Sequence, residues 1–497
     1  MDSIAGTHAA AARGLSHRAL REFGRAIAVP TYARGDLRPA IVHLGVGGFH
    51  RAHQALYLDE LAQQRVSMDW GERGVGLLAP DKRMADALLP QECLYTLVER
   101  SAEHDSARVV GSLLEYAFAP DDPGQVLEML ADPQTTIVSL TITEGGYLVD
   151  DKTGVFDAND ASVHADTDPA APKTAFGYLC SALARRRAAG TPPFTVMSCD
   201  NLQGNGRVAR TAVVSFANLR DSDLAKWIES NVAFPNAMVD RITPQTTDAD
   251  RAMVTQTFGI VDAWPVVAEP FKQWVIEDTF TVGRPPVEEV GAQIVPDVHP
   301  YETMKLRLLN GSHQALAYLG YLAGHRYVHE AAADPALQKL IRRMMDEEVT
   351  PLLAPVPGVD LTDYKRSLLE RFQNPKIRDT LARLAFAGSD RMPKFLLPSI
   401  ADALTQGRPH RLLTLATAGW LRYLRGVDDQ GEAIVVQDDR ADELRRLANA
   451  GGSDPRPLLS ARRVFGDLGS HEEWVAELEI ALRNLDARGA RAVLHDV

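Results

Sequence analysis

The chain has 497 residues, 45% hydrophobic and 24% charged, enough for two domains with cores of their own and too apolar for a disordered protein. Its formal net charge of −13 argues against nucleic acid or an anionic membrane as partner, since both need clustered Lys and Arg; a small-molecule substrate in a local pocket stays compatible with it. Three cysteines, Cys93, Cys180 and Cys199, form no CxxC pair and no even set, so reduced and mostly buried thiols are expected.

Residues 1–20, MDSIAGTHAAAARGLSHRAL, lack the apolar core of a secretory signal. No apolar run approaches the ~20 residues of a membrane helix. A cytoplasmic protein is expected, with a monomer as the simplest assembly.

After a leader of roughly 35 residues, strand and helix patterns alternate. Ala40 to Leu44 reads as a buried strand, followed by the turn Gly45-Val46-Gly47-Gly48 and a helical pattern from about Ala52 to Ala62. Gly74 to Leu78, Ile137 to Ile142 and Phe194 to Ser198 read as further buried strands. Strands separated by helices predict an α/β fold with a Rossmann-type doubly wound sheet. From about Pro300 the pattern turns helical, over 301–324, 335–350, 363–387, 394–406, 410–425 and 440–449. The expected division is residues 1–295, a dinucleotide-binding domain with its leader, and residues 296–497, a mainly α-helical domain for substrate and catalysis.

Three stretches carry chemistry. The first is IVHLGVGGFHRAHQ, residues 41–54. A glycine-rich turn between strand and helix lets backbone N–H groups approach a pyrophosphate, and Gly45 and Gly47 fit the first two glycines of the dinucleotide fingerprint. His50 stands where the third glycine belongs, so the pattern is broken, and a plain tight turn is the competing reading. Arg51 is placed to approach the phosphates. His50 and His53 have no cysteine or carboxylate cluster beside them, so no metal is expected. Asp81, after the second strand, is the candidate for the ribose hydroxyls of NAD, although the adjacent Lys82 and Arg83 suit a 2′-phosphate.

The second stretch, Val196 to Leu202, puts Asp200 and Asn201 at the carboxyl end of a buried strand, where doubly wound folds keep their ligands. Asn201 can donate to a carbonyl or alkoxide; either residue serves equally well as a helix cap. The third is Lys305-Leu-Arg-Leu-Leu-Asn310-Gly-Ser-His313. On an α-helix with Lys305 at zero, Glu302 falls near about 60°, His313 near about 80° and Asn310 near about 140°, one side of one helix. A solvated stripe is the alternative. The apolar run 315–323 that follows argues against it, because a buried Lys, Asn and His are costly without a task. His325 and His329 have i, i+4 spacing without an HExxH pattern and read as structural or surface residues.

GVGGFHRAHQ, TITEGGY (141–147), FTVMSCDNL, FPNAMVDRITP (234–244), EPFKQWVIED (269–278) and KLRLLNGSH together resemble the polyol-specific long-chain dehydrogenase/reductase family, from about residue 38 to about 425. The resemblance implies a Rossmann-type first domain, a helical second domain and a zinc-free active site to which both contribute. It implies Lys305 as general base, with Asn201 and Asn310 as the amide pair on the reacting oxygen. His313, Asp240, Arg383 and Arg391 correspond to substrate ligands, and Glu302 to a carboxylate on the proton route. Gly45, Gly47, Phe49, Arg51, Asp81 and Glu144 correspond to the cofactor side, with NAD as cofactor. Residues 234–244 and 353–364 point to D-mannitol and D-fructose as the substrate pair.

Departures affect specificity. Pro80 stands where some members have a second acid, Ala387 where the family often has Asp, and Arg391 where Lys can stand. Fructuronate or tagaturonate reduction and D-arabinitol oxidation are the alternatives within the family, and a non-catalytic NAD-binding sensor is the alternative outside it. A free lysine titrates near about 10.4, so burial and the nicotinamide cation are expected to lower Lys305 toward neutrality.

Overall fold

Five short runs, Ile41–Leu44 (β1), Glu72–Gly76 (β2), Leu113–Phe118 (β3), Ile137–Leu140 (β4) and Thr195–Ser198 (β5), pair in parallel in the order β3-β2-β1-β4-β5. This is the strand order of a Rossmann sheet about its central strand. Every residue of β1, β2, β4 and β5 is buried, which explains why they read as continuous rather than alternating strands: helices cover both faces. The computed structural model describes residues 12–23, 27–150, 153–166 and 168–497; the leader's first residues, 1–11, lie outside them.

The crossovers are set by local chemistry. Asp122 accepts from Gln125 N at 2.9 Å and Pro123 takes the first position of helix Pro123–Ala131. Thr174 caps Ala175–Ala189 in the same way, and Gly190 at φ 69 ends that helix. The interior of this half packs Val42, Leu44, Val138, Leu140, Leu179, Leu183 and Phe216 together. Fully burying a Val, Leu or Phe contributes about 1.5–3 kcal/mol. The helix expected from Ala52 to Ala62 is in fact two, Gly48–Ala52 and Gln54–Gln63, broken at His53 (φ −123, ψ −87). That ring is buried and lies 2.8 Å from the Gln273 carbonyl oxygen, a distant partner that a local periodicity does not reveal.

Beyond β5, Gln273–Glu277 lies between Ala237–Asp240 (antiparallel) and Gln293–Val295 (parallel). Tyr95–Arg100 pairs with Asp105–Val110 and with Val266–Ala268. The described part of the leader belongs to this body: Arg13–Gly14 pairs with Ile260–Val261, and Leu15, Leu20 and Phe23 are buried against Val98, Val109 and Val267.

The chain divides into two compact units, Met1–His299 and Pro300–Val497. The second is helical, with no strand among its described residues. The helix predicted over 363–387 is not continuous: it runs over Leu361–Phe372, breaks, and resumes at Leu381–Ala385 and Gly388–Phe395. Thr380 caps the second piece, accepting from Arg383 N at 3.2 Å, and Ala387 takes a left-handed φ of 52 before the third. The C-terminal segment Glu472–His495 is helical apart from a kink at Gly489 (φ 74, ψ 162), and its Trp474 donates to Thr414 Oγ1 at 3.1 Å on the helix Arg411–Tyr423.

Candidate active site

At the carboxyl end of β1, Gly45 sits at φ 95, and a Cβ there would lie 2.2 Å from the Thr141 carbonyl oxygen. Only glycine fits that turn. Gly47 differs: a Cβ would meet nothing nearer than Gly45 O at 3.8 Å, so its surface is open toward a ligand. An open strand-to-helix turn at the central strand is the cradle a dinucleotide pyrophosphate needs.

The broken third glycine has a structural reason. His50 is buried and lies flat on His43 of β1, and its Nε2 is 3.2 Å from the Glu72 carboxylate. An imidazole fills the space where a third glycine would let helix and strand touch. His43 in turn is 2.8 Å from Ser139 Oγ and 2.9 Å from Thr141 Oγ1. Burial drives His50 and His53 down to about 3 and pushes His43 well below the usual range, so all three rings are neutral. No three His, Cys, Asp or Glu side chains converge as a metal site among the described residues.

Arg51 does not face outward as its position in the turn suggested. Its guanidinium is buried, donates to the carbonyl oxygens of Gly47 and Trp264, and stacks over Tyr95. It braces the turn from inside. Phe49 is half-buried against His53, ring centroids 4.9 Å apart.

Beyond β2, Asp81 is half-exposed and accepts from Leu78 N at 2.9 Å, which fixes the carboxylate at the end of that strand. Lys82 is held by Asp86 at 3.1 Å and Asp121 at 3.7 Å, and Arg83 lies over Trp264. Both cations next to Asp81 therefore have partners of their own.

Beyond β4 and β5, Glu144 and Asn201 are exposed, whereas Asp200 is buried. The cap alternative fails for both residues of the pair: the next helix, Asn205–Asn218, begins after Gly204 at φ 63 with no side-chain cap. Asp200 instead reaches across to the chain beyond β4, accepting from Ile142 N at 3.0 Å and Thr143 N at 2.9 Å. Asn205, which no sequence motif marks, ties this end together by donating to Asp200 O and Ala237 O. Asp240 ends its strand, buried, beside Arg241, whose guanidinium donates to Glu269 O and pairs with Glu99.

In the second unit, Glu302 lies on helix His299–Met304, and Lys305–Asn310 forms a π-helical turn that passes into Gly311–Ala315. Gly311 N bonds Leu306 O, five residues back. This corrects the α-helical angles: an i→i+5 turn advances less than 100° per residue and brings Asn310 nearer in angle to Lys305. Lys305, Glu302 and His313 are buried, and Phe372 packs its ring 4.5 Å from that of His313. Asn310 Oδ1 and Ser312 Oγ are buried with no hydrogen-bond partner among the described residues, a cost of about 1–3 kcal/mol each that a bound polar group would remove. Arg383 is 57% exposed and held bidentately by Asp379, while Arg391 donates to Arg383 O and Leu384 O at 3.0 and 3.1 Å.

Residues 39–289 match the model of the mannitol dehydrogenase Rossmann domain, and residues 297–486 that of the mannitol dehydrogenase C-terminal domain. This chain belongs to the mannitol dehydrogenase family.

It is 49% identical over 479 residues to a mannitol 2-dehydrogenase of Aspergillus fumigatus, covering 95% of each chain, and 47% identical over 490 residues to a mannitol dehydrogenase of Saccharomyces cerevisiae, covering 98% of each. Among solved structures, the Pseudomonas fluorescens mannitol 2-dehydrogenase in ternary complex with NAD and D-mannitol matches with a TM-score of 0.87 at 45% identity, covering 97% of this chain and 99% of that one. A D-sorbitol dehydrogenase in substrate-free form matches with a TM-score of 0.90 at 37% identity, covering 97% and 100%. In this mannitol dehydrogenase family member no described helix is long and apolar enough to cross a membrane, and Cys93, Cys180 and Cys199 are free and buried.

Proposed function

We propose that this chain catalyses the NAD-dependent oxidation of D-mannitol to D-fructose, and the reverse reduction, with Lys305 as general base. The observation that carries this reading is the π-helical turn Lys305–Asn310, which puts a buried lysine and an asparagine amide on one turn inside a family-matched domain. The relatives named for mannitol add the substrate. The neighbour named for D-sorbitol shares the backbone slightly more closely, with a TM-score of 0.90 against 0.87, but fewer side chains, 37% against 45% identity, and side chains decide which hydroxyl is accepted.

The Gly45–Gly47 turn with Asp81 would hold NAD, whose nicotinamide supplies the acceptor for the hydride on the substrate's carbinol carbon. Lys305 takes the hydroxyl proton as the carbonyl forms, and Glu302, three residues earlier, serves the route by which it leaves. Asn201 and Asn310 donate amide hydrogens to the reacting oxygen as negative charge develops on it. His313, Asp240, Arg383 and Arg391 hold the remaining hydroxyls. Phe49 and Glu144 border the cofactor, and Arg51 acts on it indirectly, by bracing the turn. The two partnered cations beside Asp81 favour NAD over NADP, because neither is left to receive a 2′-phosphate. The reading is of a cytoplasmic monomer acting on small molecules, without nucleic acid or membrane as partner.

A panel of D-mannitol, D-sorbitol and D-arabinitol with NAD+ and NADP+, and of fructose and fructuronate in the reducing direction, tests this through the absorbance of reduced nicotinamide. D-Mannitol with NAD+ should give the highest kcat/KM. Faster reduction of fructuronate than of fructose would move the substrate to the hexuronates, and no turnover of any member would leave a binding protein.

A further inference from the structure

Thr143 lies at φ 64 and ψ 164. That region is essentially reserved for glycine, and another residue there costs about 1–3 kcal/mol. Thr143 is β-branched, which makes the position less comfortable still. The chain turns directly afterwards through Glu144–Tyr147 and leaves that turn with Leu148 also left-handed, at φ 53.

One side chain holds this path. Asp200 Oδ2 accepts from Ile142 N at 3.0 Å and from the Tyr147 hydroxyl at 2.7 Å, while Oδ1 accepts from Thr143 N at 2.9 Å. The Tyr147 hydroxyl also lies 2.6 Å from Ser198 Oγ, the last residue of β5. At the root of the same segment, Thr141 Oγ1 donates to Gly45 O at 2.7 Å. The carboxylate thus spans the ends of β4 and β5, and the segment it grips is tied at its base to the glycine turn. The carboxylate is itself held at a cost, since burial pushes Asp200 up to about 6 against the three hydrogen bonds that pull it back. A knot that served only to join two strands would need no left-handed threonine. Two local costs at the carboxyl edge of the sheet, where this fold places its ligands, point to geometry kept for chemistry.

We infer that Asp200 is a positioning residue: by gripping the Ile142 and Thr143 amides it holds the strained turn that presents Glu144 at the carboxyl edge of the sheet, to the reacting end of the site. This rests on the polyol dehydrogenase reading only in taking Glu144 and Asn201 to line that end. The chemistry requires a carboxylate, because both of its oxygens accept, whereas an asparagine must turn an NH2 toward one of the two N–H donors.

The test is a cycle of Asp200→Asn, Thr143→Gly and the double variant, with kinetics on D-mannitol and NAD+ and deuterium exchange of residues 141–147 in the ligand-free protein. Asp200→Asn should lower kcat by about 10²-fold, the size of effect that misplacement alone produces, with a much smaller change in KM for mannitol, and exchange at 141–147 should accelerate while β1 and β4 stay protected. Adding Thr143→Gly, which removes the strain, should recover at least about fivefold of the lost kcat. A merely structural defect would not be repaired by inserting glycine. Wild-type kcat in Asp200→Asn, or a double variant no better than Asp200→Asn, overturns the inference. If Asp200→Asn does not fold, Tyr147→Phe decides: faster exchange at 141–147 with a kcat lowered by about tenfold supports the clamp, and wild-type values of both overturn it. Should the wild-type protein oxidise no polyol, the functional reading falls, and the exchange data judge the clamp by themselves.

Discussion

His50 lies flat on His43, ring centroids 3.5 Å apart and planes 11° apart, with both imidazoles buried between the glycine turn and β1. The pair makes the first prediction one of pH and stability. His50 is pushed from 6.5 down to about 3 by burial, so unfolding takes up a proton between those values. The stability from keeping the ring neutral is complete above about 6.5 and is lost as pH falls toward 3. Glu72 beside it has the opposite sign: burial pushes it from 4.5 up to about 7, so unfolding releases a proton in that range and its contribution is lost as pH rises through it. His50→Phe, which retains a ring on His43, should reduce proton uptake on unfolding by about one between pH 4 and 6. Thermal unfolding of both proteins across that range measures it, and parallel pH curves would contradict the neutral ring.

Gly45→Ala should be among the most damaging single-methyl changes. It combines φ 95 with a Cβ 2.2 Å from Thr141 O, so the turn must open or the strand end must move. A loss of roughly 1–3 kcal/mol is expected from the backbone alone. NAD+ binding should weaken with it, whereas Gly47→Ala, which meets nothing nearer than 3.8 Å, should keep stability and lose only cofactor affinity. Denaturation midpoints and NAD+ titration separate the two; equal loss of stability would refute the distinction.

Asp81→Ala should raise kcat/KM with NADP+ relative to NAD+, by removing a carboxylate fixed on Leu78 N where a 2′-phosphate would sit. A wild-type enzyme that already prefers NADP+ would show instead that Lys82 and Arg83 give up their partners to hold the phosphate.

Lys305→Ala should lower turnover by at least about 10²-fold, and an added primary amine should restore part of it. His313→Ala should act mainly on KM for the polyol. Near-normal turnover and an unchanged pH profile in Lys305→Ala would transfer the base role to His313 or to a water route through Glu302.

Arg383→Ala should raise KM for mannitol far more than KM for NAD+. Asp379→Asn is the control: it releases the bidentate grip on the same guanidinium, and a similar but smaller rise is expected if Asp379 aims that side chain. No change of KM in either variant removes Arg383 from the substrate side.

What the sequence determined by itself was local or periodic. The apolar runs of β1, β4 and β5 are legible because strands buried on both faces need an unbroken apolar stretch. The turn at Gly45 is legible because its left-handed φ admits only glycine, and the Lys305, Asn310 and His313 cluster because its members are neighbours in the chain. Tertiary structure decided the rest. Arg51 stands in the turn but reaches Trp264, 213 residues away, and so braces the fold from inside. His50 replaces the third glycine because His43 awaits it across the helix–strand contact, and Asp200 spends its carboxylate on residues 58 and 57 positions earlier. The π-helical register of Lys305–Asn310 was equally hidden, since residue spacing does not state which carbonyl each N–H will choose. Hydrogen-bond partners far apart in the chain, and the register of a helix packed among others, are settled by which arrangement satisfies every buried polar group at once, and that condition exists only in the folded molecule.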